Sequence, residues 1–359
     1  MTTEEIIEAV EKEIRETPYH KGTEHHIGML RARLSRLRER LLEAYSRKSG
    51  GGGGYSVKKQ GDATIVLIGP PSAGKSTLLN KLTNAQSKVA PYAFTTVSVI
   101  PGMMYLRDAK IQILDVPGLI EGAEEGKGRG REVLSVARGA DLLIIMSDVK
   151  RPIAIERIKK SLEKNGIRLN KEKPNIRIER KLQGGILIKS NIRQNLTHET
   201  IKKVANELGV KNADITLNEK LTIEQLIDAF SANRVYTKCF NILNKADEIS
   251  DIPESDYQNN NALLISAEKN IGIEELKEKI WQTLAFIRVY LVRNDEEPNL
   301  NNPLVTTKNK TLFDIALEIG SEFAEDKTRA KIWGTGAKFP GQEVSLSAKA
   351  QDGMQIRFI

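Results

Sequence analysis

The apolar run Ile65 to Ile68 leads directly into Gly69-Pro70-Pro71-Ser72-Ala73-Gly74-Lys75-Ser76, and a helical stretch from Thr77 to Leu82 follows at once. Such a loop works only where a buried parallel strand delivers it and a helix leaves it, which restricts the chain to an α/β sheet with crossover connections. Gly69 and Gly74 allow the backbone to curl so that its N–H groups face an anion. Lys75 is placed to neutralise the β- and γ-phosphates of a nucleotide, and Ser76 offers a hydroxyl to Mg²⁺. Pro70, Ser72, Ala73 and Thr77 complete the candidate phosphate site, and the helix beginning there turns its positive end toward the ligand. Taken alone, the stretch also reads as a glycine-rich turn after a strand.

Four further segments remove that ambiguity. Asp115 ends the apolar strand Ile111 to Leu114 and can hold Mg²⁺ through water, while Gly118, lacking a side chain, lets its N–H approach a γ-phosphate. Thr95-Thr96 lie between the loop and Asp115, where a mobile segment supplies a second hydroxyl to the metal, and Thr96 is the favoured donor. Asn244-Lys245-Ala246-Asp247 follow the strand Phe240 to Leu243. Asp247 can accept from N1–H and the exocyclic amine of guanine, a donor pair that adenine lacks, with Asn244 and Lys245 bracing the loop and covering the base. Ser266-Ala267, after Ala262 to Ile265, would bring a backbone N–H to the guanine carbonyl. The ligand expected is therefore GTP or GDP with Mg²⁺. The metal set is Ser76, Thr96 and Asp115, and the catalytic set is Lys75, Thr96 and Gly118.

At 359 residues the chain has room for two or three domains. A net charge of +8 suits a polyanionic partner, although a solvated lysine-rich surface gives the same figure. The single cysteine, Cys239, excludes an internal disulfide and reads as a packing residue. Four histidines, two of them adjacent at His25-His26, make no credible metal site. No apolar stretch reaches membrane-spanning length and Met1 is followed by polar residues, so the expectation is a cytoplasmic protein with no membrane partner.

Residues 1–50 read as a helical hairpin, Glu4 to Glu16 and then Thr23 to Arg47, with Ile27, Leu30, Leu34, Leu37 and Leu41 at helical spacing. Arg31, Arg33, Arg36, Arg38 and Arg40 surround that stripe, which suits either packing on the rest of the chain or a contact with RNA or a partner. Five glycines, Gly50 to Gly54, form a linker. Residues 51–160 and 236–288 carry the nucleotide motifs. Asp115 and Asn244 stand 129 positions apart, about twice what a minimal connection needs, so an inserted α+β subdomain is expected over 161–235. Its strands are Asn175 to Glu179, Gly185 to Lys189 and Ala213 to Leu217, and its helices Thr197 to Leu208 and Thr222 to Phe230. A helix from Ile273 to Ile287 then precedes a compact ubiquitin-like sheet over 289–359, with one helix from Thr311 to Phe323.

The phosphate loop, Ala93-Phe94-Thr95-Thr96, and above all Leu114-Asp115-Val116-Pro117-Gly118-Leu119-Ile120-Glu121-Gly122-Ala123 running into Gly126-Lys127-Gly128-Arg129-Gly130-Arg131 resemble the developmentally regulated GTP-binding proteins of the Obg-like group of translation factor GTPases. Gly166 to Asn170, Asn212 to Leu217 and Asn233-Arg234-Val235-Tyr236 extend the resemblance over essentially the whole chain. It implies a Ras-like P-loop GTPase domain, an insert similar to domain 2 of ribosomal protein S5, an N-terminal helical hairpin and a C-terminal TGS domain of β-grasp type. It also implies action on ribosomes or RNA in translation, no DNA partner, and a stabilising partner protein in eukaryotic relatives. A cousin class binds ATP through an altered base motif. The intact Asn244-Lys245-Ala246-Asp247 favours GTP here.

Hydrolysis would proceed by in-line attack of water on the γ-phosphate. Ras-like enzymes orient that water with a glutamine after the glycine of Asp-x-x-Gly, whereas this chain has Leu119, so unaided turnover should be slow. The missing group could come in cis from Glu121 or Arg129, from K⁺, or in trans from a ribosome. K⁺-using relatives carry an Asn in the phosphate loop where this chain has Ser72. Two modes of action follow: a switch reset by hydrolysis, or a nucleotide-gated RNA- or protein-binding scaffold in which turnover is incidental.

Overall fold

The computed structural model describes residues 2–48, 60–83, 99–116, 129–249 and 261–359. In chain order the elements are α1 (Thr3–Glu16), α2 (Glu24–Lys48), β1 (Ala63–Ile68), α3 (Lys75–Leu82), β2 (Ile100–Leu106), β3 (Ala109–Asp115), α4 (Arg129–Arg138), β4 (Leu142–Asp148), α5 (Ile153–Lys164), β5 (Ile167–Leu169), β6 (Ile176–Arg180), β7 (Ile186–Ser190), α6 (His198–Glu207), β8 (Ala213–Leu217), α7 (Ile223–Phe230) and β9 (Val235–Asn244). β10 (Ala262–Leu264), α8 (Ile273–Leu284), β11 (Phe286–Leu291), β12 (Pro303–Thr307), α9 (Leu312–Ile319), α10 (Ser321–Glu325), β13 (Arg329–Gly334), β14 (Gln342–Ser345) and β15 (Met354–Phe358) complete it. The chain divides into two compact units, one of 1–54 with 162–236 and the other of 55–161 with 237–359.

In the larger unit a sheet runs in the order β10-β9-β4-β1-β3-β2, parallel throughout except for the antiparallel β2–β3 hairpin. β1 and β4 are buried along their whole length, as expected of parallel strands covered on both faces. Ile65, Leu67, Ile111, Ile113, Leu142 and Ile144 join Leu78 and Leu79 of α3 and Leu276 and Ile280 of α8 in one core. Each such side chain contributes about 1.5–3 kcal/mol on leaving water. The strand ends at Ile68, Asp115, Asp148, Asn244 and Leu264 come out on one edge, the carboxyl edge where ligands of open α/β sheets bind.

The C-terminal part of this unit is a second sheet, β12-β11-β15-β13-β14, with β11 and β15 parallel and the other pairs antiparallel. Leu312, Ile315 and Ala316 of α9 pack with Val289, Ala330, Ile332, Ile356 and Phe358 to fill its core. Two expected boundaries shift. The helix from Ile273 stops at Leu284, because Ala285 turns left-handed and Phe286 already begins β11, ahead of residue 289. The helix expected from Thr311 to Phe323 is two, α9 and α10, parted at Gly320, whose extended backbone interrupts the helix and whose N–H caps the Ala316 carbonyl.

The smaller unit holds the hairpin and the three-stranded sheet β6-β8-β7. Thr2 and Glu5 cap α1 reciprocally, and α1 ends at Thr17 before Pro18. Ala32 of α2 lies in the same core as Ile201, Val204, Ile215, Leu217 and Leu226, so α2 enters the sheet-and-helix core through a residue beside the apolar stripe Ile27 to Leu41. Ile27 and Leu30 of that stripe are buried. Three of the five hairpin arginines are engaged within the unit: Arg31 with Glu224, Arg36 with the Glu207 carbonyl and Arg38 with Glu11.

A buried ionic cluster ties these pieces together. Asp228 accepts from Nε and Nη2 of Arg168 at 2.5 and 2.6 Å and from Nε of Arg234 at 2.8 Å. Arg234 in turn donates to Glu39 and Ser35 of α2 at 3.0 and 2.6 Å. Arg168 and Arg234 come from two of the stretches that carry the family resemblance.

Candidate nucleotide site

β1 delivers Gly69 beside β4, and a Cβ at Gly69 would collide with the Met146 carbonyl oxygen. Gly74, at φ 89°, is the N-cap of α3, and a Cβ there would strike the side-chain nitrogen of Asn244. Both glycines are thus required by close approach, and Gly74 by its left-handed backbone as well. The helix starts at Lys75, two residues before the expected Thr77, so the loop runs straight into the first turn of α3.

Lys75 is 8% exposed, and its Nζ donates to the carbonyls of Gly69 and Pro70 at 3.0 and 3.1 Å. Burial pushes its ammonium below the usual lysine range, while Asp115 pulls the other way. Ser76 Oγ donates to Asp115 Oδ2 at 2.5 Å. Asp115 is 2% exposed, and its other oxygen, Oδ1, has no hydrogen-bond partner among the described residues. A buried carboxylate oxygen left open beside a serine hydroxyl fits the donor set of a hard divalent cation.

Asn244 is the joint of the site. Its Nδ2 donates to the Ala73 carbonyl at 2.9 Å and its Oδ1 accepts from Ala267 N–H at 2.9 Å, so one buried amide links the phosphate loop to Ser266-Ala267. Lys245 stands at φ 65° and begins the short turn Ala246–Glu248, pinned by Ala246 N–H to the Ile265 carbonyl at 3.0 Å. Asp247 is exposed, and a hydrogen bond from Ser266, with help from Lys269 and Lys245, holds its carboxyl below its ordinary value despite partial desolvation.

Gly69, Pro70, Ser72, Ala73, Gly74, Lys75, Ser76, Thr77, Asp115, Asn244, Lys245, Asp247, Ser266 and Ala267 therefore lie at strand ends of one sheet or in the loops and the first turn of α3 that follow them. Thr95, Thr96, Pro117, Gly118, Leu119, Glu121, Gly122, Gly126 and Gly128 lie outside the described residues, as do the side chains of Arg129 and Arg131. Sequence reading passed over the turn after β4. Asp148 pairs with Asn244 in register, Lys150 bonds Glu248 at 2.6 Å, and Arg151 donates to the Pro71 carbonyl at 3.1 Å. Only the apolar run Leu142 to Met146 ending in a polar residue marked that turn. Among the described residues no group of three or more His, Cys, Asp or Glu side chains is placed to hold a metal ion, and no helix is long and apolar enough to cross a membrane.

A family described as 50S ribosome-binding GTPase matches residues 64–181, and the C-terminal region of the MMR_HSR1 domain matches residues 183–286. A GTP-binding protein of Methanocaldococcus jannaschii is 43% identical over 98% of this chain and 92% of its own length. The developmentally-regulated GTP-binding protein 1 of Xenopus laevis is 40% identical, covering 98% of each chain. A developmentally-regulated GTP-binding protein 2 homolog of Dictyostelium discoideum is 38% identical over 99% of this chain and 98% of its own. Since the identity runs from end to end and takes in the hairpin, the insert and the C-terminal sheet as well as the nucleotide motifs, the chain belongs to the family of developmentally regulated GTP-binding proteins.

Proposed function

We propose that this protein binds GTP with Mg²⁺ at the carboxyl edge of the large sheet, hydrolyses it slowly to GDP and phosphate, and uses the difference as a switch on ribosomes or RNA during translation in the cytoplasm. The observation that carries the reading is Asn244: a single amide couples the loop that would hold the phosphates to the segment that would read the base.

In this reading Lys75 exchanges two neutral carbonyls for the β- and γ-phosphates, and the loop amides take the remaining oxygens. Ser76, Asp115 and Thr96 would hold Mg²⁺, which supplies charge neutralisation at the β- and γ-phosphates when bound. Gly118 would sense the γ-phosphate through its N–H. Asp247 accepts from the guanine edge, Lys245 covers the ring, and the Ser266-Ala267 backbone meets the carbonyl. Leu119 offers nothing to orient water, so turnover would rise when K⁺ or a ribosomal group completes the site, by as much as about 10³ to 10⁵.

For the partner, the C-terminal sheet supports RNA. Arg329, Lys331, Trp333 and Arg357 alternate with the buried residues of β13 and β15 and so share the face turned away from α9. Arg357 lies 5.2 Å over the Trp333 ring. Asp314, Glu318, Glu322 and Glu325 fall on α9 and α10 instead. We read this part as the TGS domain and the insert as the S5-like subdomain, with a stabilising partner protein as in eukaryotic relatives. Leu119 also favours the scaffold mode, in which turnover is incidental.

Calorimetry with GTP, GDP and ATP tests the pocket, and binding of neither guanine nucleotide would remove it. Sedimentation with ribosomes in GDP and in a non-hydrolysable GTP analogue tests the switch. Nucleotide-dependent association is expected, and equal association in both states would leave only the scaffold.

A further inference from the structure

The Pro71–Ser72 peptide of the phosphate loop is held by a residue pair outside the five nucleotide motifs. Asp148, 5% exposed at the end of β4, accepts from Arg151 Nε at 2.9 Å, from Arg151 Nη2, and from the Lys150 N–H at 3.1 Å. The same Nη2 donates to the Pro71 carbonyl at 3.1 Å. The backbone of Arg151 is itself fixed, its N–H on the Asp148 carbonyl at 3.0 Å and its carbonyl under Ser147 Oγ at 2.8 Å. The guanidinium is thus locked in a fork between a buried carboxylate and one loop carbonyl.

A trans peptide directs its carbonyl and the following N–H to opposite sides. A donor that fixes the Pro71 oxygen on the Arg151 side therefore turns the Ser72 N–H away from it. Ser72 adopts φ 63°, a left-handed conformation unfavourable for any residue with a Cβ. Something must hold it there, and Arg151 grips the adjoining peptide.

We propose that Arg151, oriented by Asp148, is a positioning residue for the nucleotide: it locks the Pro71–Ser72 peptide so that the Ser72 N–H is presented to the bound triphosphate. This rests on the phosphate-loop reading above. The clamp takes over the work that a glycine at position 72 would do through its own freedom, and its guanidinium bonds the phosphate loop and Asp148 rather than the residues that would read the base.

The test is the release rate of fluorescent GTP and XTP from the full-length chain by stopped flow, in wild type, Arg151→Ala, Ser72→Gly and the double variant. Arg151→Ala should speed GTP release about tenfold, with the GTP-over-XTP preference unchanged. In the Ser72→Gly background, where positive φ costs nothing, the same substitution should change release less than about threefold. Arg151→Lys, which has no fork to span Asp148 and Pro71, should fall between wild type and Arg151→Ala. Equal effects in the two backgrounds, or no effect in either, overturn the proposal. Should Arg151→Ala lower the melting temperature, Asp148→Asn with and without Ser72→Gly reads the same coupling. Wild type that binds no GTP removes the phosphate-loop reading itself, whereas wild type that binds while Arg151→Ala releases at the same rate removes only the clamp.

Discussion

At the residue scale the surroundings of Asp247 suit the base-reading role proposed for it: Ser266 donates to its carboxyl, and with smaller help from Lys269 and Lys245 this holds it below its ordinary value. If it accepts from two guanine donors, Asp247→Asn should lower GTP affinity by about two orders of magnitude or more and raise XTP affinity, because the new amide faces a donor where it needs an acceptor. Titration with both nucleotides checks this, and unchanged GTP affinity would remove the base-recognition role. Asn244→Ala leaves the Ala73 carbonyl and the Ala267 N–H without their partner in a buried place, each costing about 1–3 kcal/mol. Thermal unfolding and GTP binding should therefore both weaken. At this scale the residues whose chemistry forces their type were legible: Gly74 under Asn244, Lys75 at the loop end, Asp115 beside Ser76. Arg151 was not, because an arginine after a strand has no pattern of its own, and its contact with Pro71 joins positions 80 apart in sequence.

Among elements, those with strong periodicity were readable, and their ends were not. β8 was expected at Ala213 to Leu217 and lies there, while α8 ends three residues early because Ala285 can turn left-handed in a way that no composition announces. The hairpin's packing partner was also hidden. Its stripe told of burial without saying against what, and α2 meets α6 through Glu24, which is buried and accepts from Lys21 at 2.9 Å, Thr200 Oγ1 at 3.1 Å and Thr197 N–H at 3.3 Å. Burial opposes the charge of Glu24, yet these bonds outweigh it and depress its carboxyl below the ordinary 4.5. A depressed carboxyl stabilises the fold above its unfolded value and loses that contribution as pH falls through the folded one. Urea unfolding of Glu24→Gln should show lower stability than wild type at pH 7, with the difference closing below pH about 4.5. A constant gap across that range would count against it. Asp228→Ala should cost about 3–5 kcal/mol, since it leaves Arg168 and Arg234 without their shared carboxylate, and hydrogen exchange at α2 and α7 should rise accordingly.

On the scale of the molecule, a net charge of +8 gains meaning only from where the charges fall. On the C-terminal sheet, β13 puts Arg329 and Lys331 on the face carrying Trp333 and Arg357, with Lys331 directly opposite Arg357 in register. On the same face Glu343 stands within 3.6–3.7 Å of both Arg329 and Lys331. An exposed ion pair of that kind is worth about 0–1 kcal/mol and yields readily to a phosphate, whose contact releases counterions. If this face meets the RNA backbone, each cation removed should lower the slope of log affinity against log salt by about one. Arg329→Ala with Lys331→Ala should then flatten that slope by about two in ribosome co-sedimentation, at unchanged GTP affinity, because neither residue is among those proposed to hold the nucleotide. Glu343→Gln should do the opposite and tighten binding slightly by freeing both cations. A protein partner would instead respond to Trp333→Ala with little change in salt dependence, so the pair of variants separates an electrostatic RNA contact from an apolar protein one.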